Sequence, residues 1–128
     1  MINNAVNGTL DIDGTTMDYI SFGKGKRNLV VILGLQDGMK TVKGSAVQLS
    51  MMFPKFGEEF RVYAFSQKNG LPEGFTTRDM AEDVYRAMKQ VHIESADVIG
   101  VSMGGMIAQY LAIDHPEVVK KLFLVVTL

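Results

Sequence analysis

The sequence predicts an α/β protein: a mostly parallel sheet with helices on both faces and an antiparallel hairpin at its start. Three observations lead to this fold class. The apolar run at residues 29–33 does not alternate, which is typical of a strand buried on both faces. After it, strand and helix patterns alternate along the chain. Before it, an Asp-Gly pair separates two alternating segments, which indicates a hairpin.

The opening hairpin is predicted from the residues on either side of Asp13-Gly14. Residues 9–12 alternate between polar and apolar, and Met17 and Tyr19 continue the alternation beyond the turn. Both central residues of such a turn need positive φ, which Asp and Gly tolerate. A polar loop containing glycine then connects the hairpin to the strand at 29–33.

The remaining elements follow from apolar spacing and from their end signals. Thr76 and Thr77 are good caps for a helix, and Pro116 ends another because the residue before a proline leaves the α region. The predicted order is a helix within 41–53, a strand at 60–65, a helix at about 77–91, a strand at 96–101, a helix at 103–114 and a strand at 122–126.

Composition restricts the function classes. The 128 residues correspond to one domain, 1–128, and a net charge of -1 argues against general binding to nucleic acid or to anionic membrane. With no cysteine and two histidines, the chain offers no disulfide framework, and we expect no metal and no cofactor. We read neither a signal peptide nor an apolar run long enough to span a membrane, so we expect a cytoplasmic protein.

One segment carries a chemical motif between a buried strand and an amphipathic helix. Gly100-Val101-Ser102-Met103-Gly104 matches G-x-S-x-G, the turn that presents a nucleophilic serine at the end of a strand. Glycines on either side are needed because side chains there would collide with the tight turn. The alternative interpretation is a glycine-rich turn whose serine only caps the helix.

Together with the hairpin, the strand at 29–33 and the segment at 114–126, this motif makes the chain resemble the N-terminal half of an α/β-hydrolase-fold protein of the cap-bearing esterase or peptidase kind. The resemblance implies a partial α/β-hydrolase fold, with Ser102 as nucleophile and Gly100 and Gly104 as elbow glycines. It also implies an oxyanion hole formed by the backbone N–H groups of Met103 and Leu35. The histidine that often precedes the glycine of that loop is absent before Gly34, which could equally be an ordinary loop glycine.

The family order of serine, acid and histidine is not completed within this chain. Asp114 and His115 have the right order, but a helix would separate them from Ser102 by about 16–18 Å. His92 precedes the strand that carries Ser102, so we expect it at the opposite edge of the sheet. We therefore expect the acid, the catalytic histidine, the cap and the C-terminal strands to lie beyond this truncated domain. The strand at 122–126 would then be an apolar edge that pairs with a second copy or a partner chain.

The other functional alternatives are open at this point. A hydrolase lineage acting on a small acyl substrate competes with a catalytically silent binding protein on the same fold and with a nucleotide-binding half. Met51 and Met52 could line a site for an acyl group, but we interpret them as core residues. Asp97 and the charges of the helix at 77–91 are predicted to be solvated; these charges are Arg78, Asp79, Glu82, Asp83, Arg86 and Lys89.

Overall fold

The computed structural model describes residues 5–32 and 58–125. Within them the strands are β1 (Val6–Ile12), β2 (Thr15–Phe22), β3 (Arg27–Ile32), β4 (Phe60–Lys68), β5 (Ala96–Val101) and β6 (Val119–Val125). The helices are α1 (Thr77–Gln90) and α2 (Met103–Asp114), and a short 3-10 helix (Pro116–Val118) precedes β6. None of the described helices is both long enough and apolar enough to cross a membrane.

The described strands form one mixed sheet in the order β1-β2-β4-β3-β5-β6. β1 and β2 pair antiparallel around a turn in which Asp13 and Gly14 both have positive φ, which confirms the predicted hairpin. β4, β3, β5 and β6 run parallel to one another. The carboxyl ends of these four strands therefore lie along one edge, which is where ligands and reactions are found in open α/β sheets.

Both described helices pack on the same face of the sheet. Their apolar side chains join Val30, Ile32, Phe65 and Val98 in the main core. Leu29 and Val62 belong to the opposite face and are also buried. Burial of alternate residues on both faces explains why residues 29–32 are apolar without alternation. The helix predicted within 41–53, together with Met51 and Met52, lies outside the described residues.

Helix α1 begins where the sequence predicted it. Thr76 caps it: the Asp79 N–H donates to the threonine hydroxyl at 3.1 Å, and the Thr76 N–H donates to the Asp79 carboxylate at 2.9 Å. These contacts hold the pKa of Asp79 below its ordinary value. The predicted last strand begins three residues early, at Val119, because the 3-10 helix turns the chain directly into the sheet.

Two charged residues expected in solvent are buried instead. Asp83 is 2% exposed and lies 3.5 Å from the ammonium of Lys68, which is itself buried at the end of β4. Asp97 is 3% exposed and accepts a 2.8 Å hydrogen bond from Arg27 at the start of β3. The prediction of a solvated position was wrong for both, because each carboxylate is paired with a cation from a strand that is distant in sequence.

Candidate active site

The turn between β5 and α2 holds Ser102 in an unusual backbone conformation. Its φ is 54° and its ψ is −122°, while its neighbours Val101 and Met103 end the strand and begin the helix. A non-glycine residue in such a region costs about 1–3 kcal/mol and persists only where its surroundings enforce it. The serine is partly exposed, at the carboxyl edge of the parallel strands.

Backbone hydrogen bonds on both sides enforce that conformation. The Ser102 N–H donates to the carbonyl of Val125 in β6 at 3.0 Å, and its carbonyl accepts from the Gly105 N–H at 2.9 Å. The Ser102 side chain makes no capping hydrogen bond to the helix. Helix capping, the alternative interpretation of this serine, is therefore not the contact that holds it here.

Gly100 makes room for the close approach of α2 to β5. A Cβ atom on Gly100 would lie 2.6 Å from the carbonyl oxygen of Gly104, 2.6 Å from the Cα of Gly105 and 2.9 Å from the Cβ of Ala108. Two of these three atoms belong to helix backbone, so a side chain at residue 100 would force the helix away from the strand. Glycine at this position is thus what lets the helix begin directly after Ser102.

The start of α2 supplies donors beside the serine. Met103 is the first residue of the helix, and the first N–H groups of a helix have no acceptor within it. The first turn of α2 contains no acidic residue, so none of its own carboxylates neutralises the positive end of the helix dipole. Donors and dipole together favour negative charge next to Ser102.

The second predicted donor, Leu35, lies outside the described residues, as does Gly34. The last described residue before them, Ile32, ends β3 and pairs with Gly100 in the neighbouring β5. The chain therefore leaves β3 at the same edge of the sheet as the Ser102 turn.

The structure places both histidines of the sequence away from Ser102. His92 lies in the turn before β5, and a six-residue strand spans about 20 Å. His115 follows the twelve residues of α2, which rise about 18 Å. Its ring stacks on Tyr85 with centroids 3.6 Å apart, and its Nε2 lies 2.7 Å from a carboxylate oxygen of Glu82.

Asp114 also makes its contacts away from Ser102. Its carboxylate accepts two hydrogen bonds from the guanidinium of Arg78 on α1, one of them at 2.9 Å from Nε. These bonds hold the pKa of Asp114 below its ordinary value. Asp114 and His115 thus tie α2 to α1, and neither orients a base for Ser102.

Sequence reasoning missed two parts of this site. Val125 anchors the serine through its carbonyl, and Ala108 lies against Gly100. No sequence signal identifies either, because each contact depends on strand register or on the closeness of the helix. Among the described residues, no group of three or more acidic or histidine side chains could hold a metal ion.

Known proteins share both the sequence pattern and the fold. The family model described as alpha/beta hydrolase fold matches residues 42–128. A protein of Serratia proteamaculans named as a carbamate hydrolase is 33% identical over 75 residues, which are 54% of this chain and 28% of that protein. The soluble epoxide hydrolase of a Corynebacterium species is 29% identical over 113 residues, 88% of this chain and 38% of that enzyme.

Solved structures agree with the fold. The epoxide hydrolase CorEH superposes with a TM-score of 0.79 at 25% identity, covering 94% of this chain and 42% of its own. A hydrolase of Pseudomonas aeruginosa superposes with a TM-score of 0.75 at 22% identity, covering 95% of this chain and 46% of its own. The chain thus spans less than half the length of these relatives, whose names cover different reactions.

Proposed function

The chain belongs to the alpha/beta hydrolase fold family, and on that premise we propose that Ser102 is the nucleophile of a reaction that hydrolyses an acyl bond. The substrate would be a small ester, amide or related acyl compound. The observation that carries the proposal is the strained backbone of Ser102 directly before the first N–H groups of α2. Strain kept at one polar residue, with no capping bond in return, is typical of a site maintained for chemistry.

The reaction would follow the usual course of a serine nucleophile. The Oγ of Ser102 attacks the acyl carbon while a base takes its proton, and the leaving group then departs to give an acyl-enzyme that water hydrolyses. The negative oxygen of the intermediate would accept hydrogen bonds from the Met103 and Leu35 backbone N–H groups, each such donor adding about 10²–10³-fold in rate.

The base and its acid partner are proposed to come from outside these 128 residues. Neither His92 nor His115 lies within a side chain's reach of Ser102, since each is separated from it by a full element. The alternative function, a catalytically silent binding protein, is favoured by that same observation. The two functions differ in whether the Ser102 hydroxyl reacts when a base is supplied.

We expect a fluorophosphonate to modify Ser102 slowly in this chain and much faster when imidazole is added as an external base. The Oγ–P bond forms, fluoride leaves and imidazole takes the proton. A general base typically contributes 10²–10⁴-fold when positioned, so a diffusing one should give less, about tenfold. Intact mass reports the extent of labelling, and peptide mapping reports the site.

Ser102→Ala is the control for this experiment, since it should remove the label under both conditions. Ser95, which is also partly exposed, should stay unmodified because it has no such turn. Labelling that imidazole does not accelerate, or that spreads equally over several serines, would favour the silent binding protein.

We further propose that the edge strand β6 pairs with a second copy of this chain. β6 is the last strand of the sheet among the described residues, and Phe123, Leu124 and Val125 are 50%, 47% and 45% exposed. Beside it, on the face of the sheet opposite α1 and α2, lies a cavity of about 410 Å³ that is lined largely by apolar side chains. These are Leu29, Phe60, Ile99, Phe123 and Val125, and the charged residues Arg27, Asp97 and Lys121 complete the lining. An apolar strand at the edge of a sheet is a template for another strand.

We expect the wild-type chain to form dimers or larger species by size-exclusion chromatography with light scattering, and Phe123→Lys to shift it toward monomer. A lysine at the strand edge would place charges within the paired interface. Ile113→Lys is the matched control, because Ile113 is 64% exposed but lies on α2 and not on β6. A wild-type chain that stays monomeric throughout the micromolar range would refute self-pairing.

A further inference from the structure

A polar cavity of about 280 Å³ opens at the edge of the sheet opposite Ser102, where β3, β5 and β6 begin. Most of its lining side chains are basic or uncharged and polar, and one is a carboxylate. The basic ones are Lys26, Arg27, His92 and Lys120, the uncharged ones are Asn28 and Ser95, and the carboxylate is Glu94. The length of β5 separates it from the candidate active site, so it is a different site from the one described above.

Positive charge dominates the wall of this cavity. Among the described residues, neither Lys26 nor Lys120 takes part in an ion pair. Arg27 is held in place by Asp97 at 2.8 Å and lies over the ring of Phe60 at 5.0 Å. Glu94 is the only carboxylate in the lining. A chain with a net charge of -1 thus has a local excess of positive charge here.

His92 reaches the cavity from a position that favours glycine. The His92 N–H donates to the Lys89 carbonyl at 3.1 Å, and the Ile93 N–H donates to the Met88 carbonyl at 2.8 Å. These two bonds form a Schellman motif, which usually has glycine at the position that His92 occupies. The φ of His92 is 64°. The residue at this helix end is thus a histidine, and its imidazole lines the cavity.

We propose that this cavity binds an oxyanion of the phosphate class, either free phosphate or a phosphate monoester. The ammonium groups of Lys26 and Lys120 would neutralise it, and Ser95 and His92 would add hydrogen-bond donors. The Asn28 amide, which also donates to the Ser95 carbonyl at 3.4 Å, has a second N–H for the anion. Charge-assisted hydrogen bonds of this kind are the stronger ones, and several converge on one cavity here. The proposal is independent of the chemistry at Ser102.

The test is a titration of the full chain with inorganic phosphate at constant ionic strength, followed by the amide resonances of residues 92–95. We expect saturable shifts, and a dissociation constant raised about tenfold or more in Lys26→Ala/Lys120→Ala. The matched control is Lys24→Ala/Lys121→Ala, which removes two neighbouring charges outside the cavity lining and should change the constant less than about twofold. Equal loss in both double variants, or shifts that never saturate, would overturn the proposal.

The variant His92→Gly distinguishes a role of this side chain in phosphate binding from a role in stability. Because glycine relieves the positive φ, the melting temperature should rise by about 2–5 °C while phosphate affinity falls severalfold. Unchanged affinity in this variant would exclude His92 from the site and contradict the proposal. Methyl phosphate as a second probe shows whether the cavity admits a monoester or only the free anion.

Discussion

Replacing Gly100 with alanine is expected to destabilise the protein by about 3 kcal/mol or more, because the new methyl group would overlap helix backbone. Its Cβ would lie 2.6 Å from both the Gly104 oxygen and the Gly105 Cα, and neither can move without shifting α2. The same shift would displace Ser102, which joins strand to helix. Denaturant unfolding measures the stability loss.

Gly105→Ala is the matched control for that substitution. A Cβ on Gly105 would lie 3.6 Å from a methyl carbon of Leu124 and 3.7 Å from the Gly100 oxygen, which are ordinary contacts. Alanine also favours a helix by about 1 kcal/mol over glycine, so this variant should be as stable as wild type or slightly more stable. Equal stability of the two variants would show that α2 does not approach β5 as closely as described.

Lys68→Met is expected to lose about 3 kcal/mol at neutral pH, because it leaves the carboxylate of Asp83 buried beside an apolar side chain. The Lys68 ammonium lies 3.5 Å from that carboxylate, and both side chains are at most 5% exposed. Arg86 approaches Asp83 at 3.5 Å but is itself 44% exposed, so it replaces Lys68 only in part. Lys68→Met/Asp83→Asn removes both charges and should recover most of the loss.

The stability deficit of Lys68→Met should depend on pH in a definite direction. Burial raises the pKa of Asp83 above its ordinary 3.8, and Lys68 opposes that rise. A carboxyl whose folded pKa is raised favours folding while it is protonated, and that stability is lost as pH rises through the folded value. Without Lys68 the folded pKa rises further, so the deficit of Lys68→Met should shrink as the pH is lowered from neutral and Asp83 becomes protonated. A deficit that grows on acidification would contradict the burial of this pair.

Elements with local signals could be predicted from the sequence. Asp13-Gly14 set the hairpin through its own dihedral angles, and Thr76 with Asp79 set the start of α1. The Ser102 turn was also predictable, since its glycines, strand and helix all lie within residues 96–114. The α/β fold class followed from the alternation of strands and helices, and the family resemblance added the partial α/β-hydrolase fold.

Contacts between distant residues could not be predicted. Asp97 reads as a polar residue at a strand start, and only the pairing of β3 with β5 brings Arg27 to it across 70 positions. Asp83 follows the solvated pattern of α1 until Lys68, from β4, covers it. Helical periodicity likewise cannot show that α1 and α2 share one face, because it fixes only which side of each helix is apolar.

The most direct test of the central claim, that Ser102 is held in a strained turn for chemistry and not for stability, is the free energy of unfolding of Ser102→Gly beside Ser102→Ala. Glycine accepts a φ of 54°, so we expect Ser102→Gly to gain about 1 kcal/mol after its larger unfolded-state entropy is counted, while Ser102→Ala stays within about 0.5 kcal/mol of wild type. A serine that capped α2 would behave in the opposite way, with alanine losing about 1 kcal/mol and glycine a few tenths. Stability of Ser102→Gly at or below that of wild type would contradict the claim.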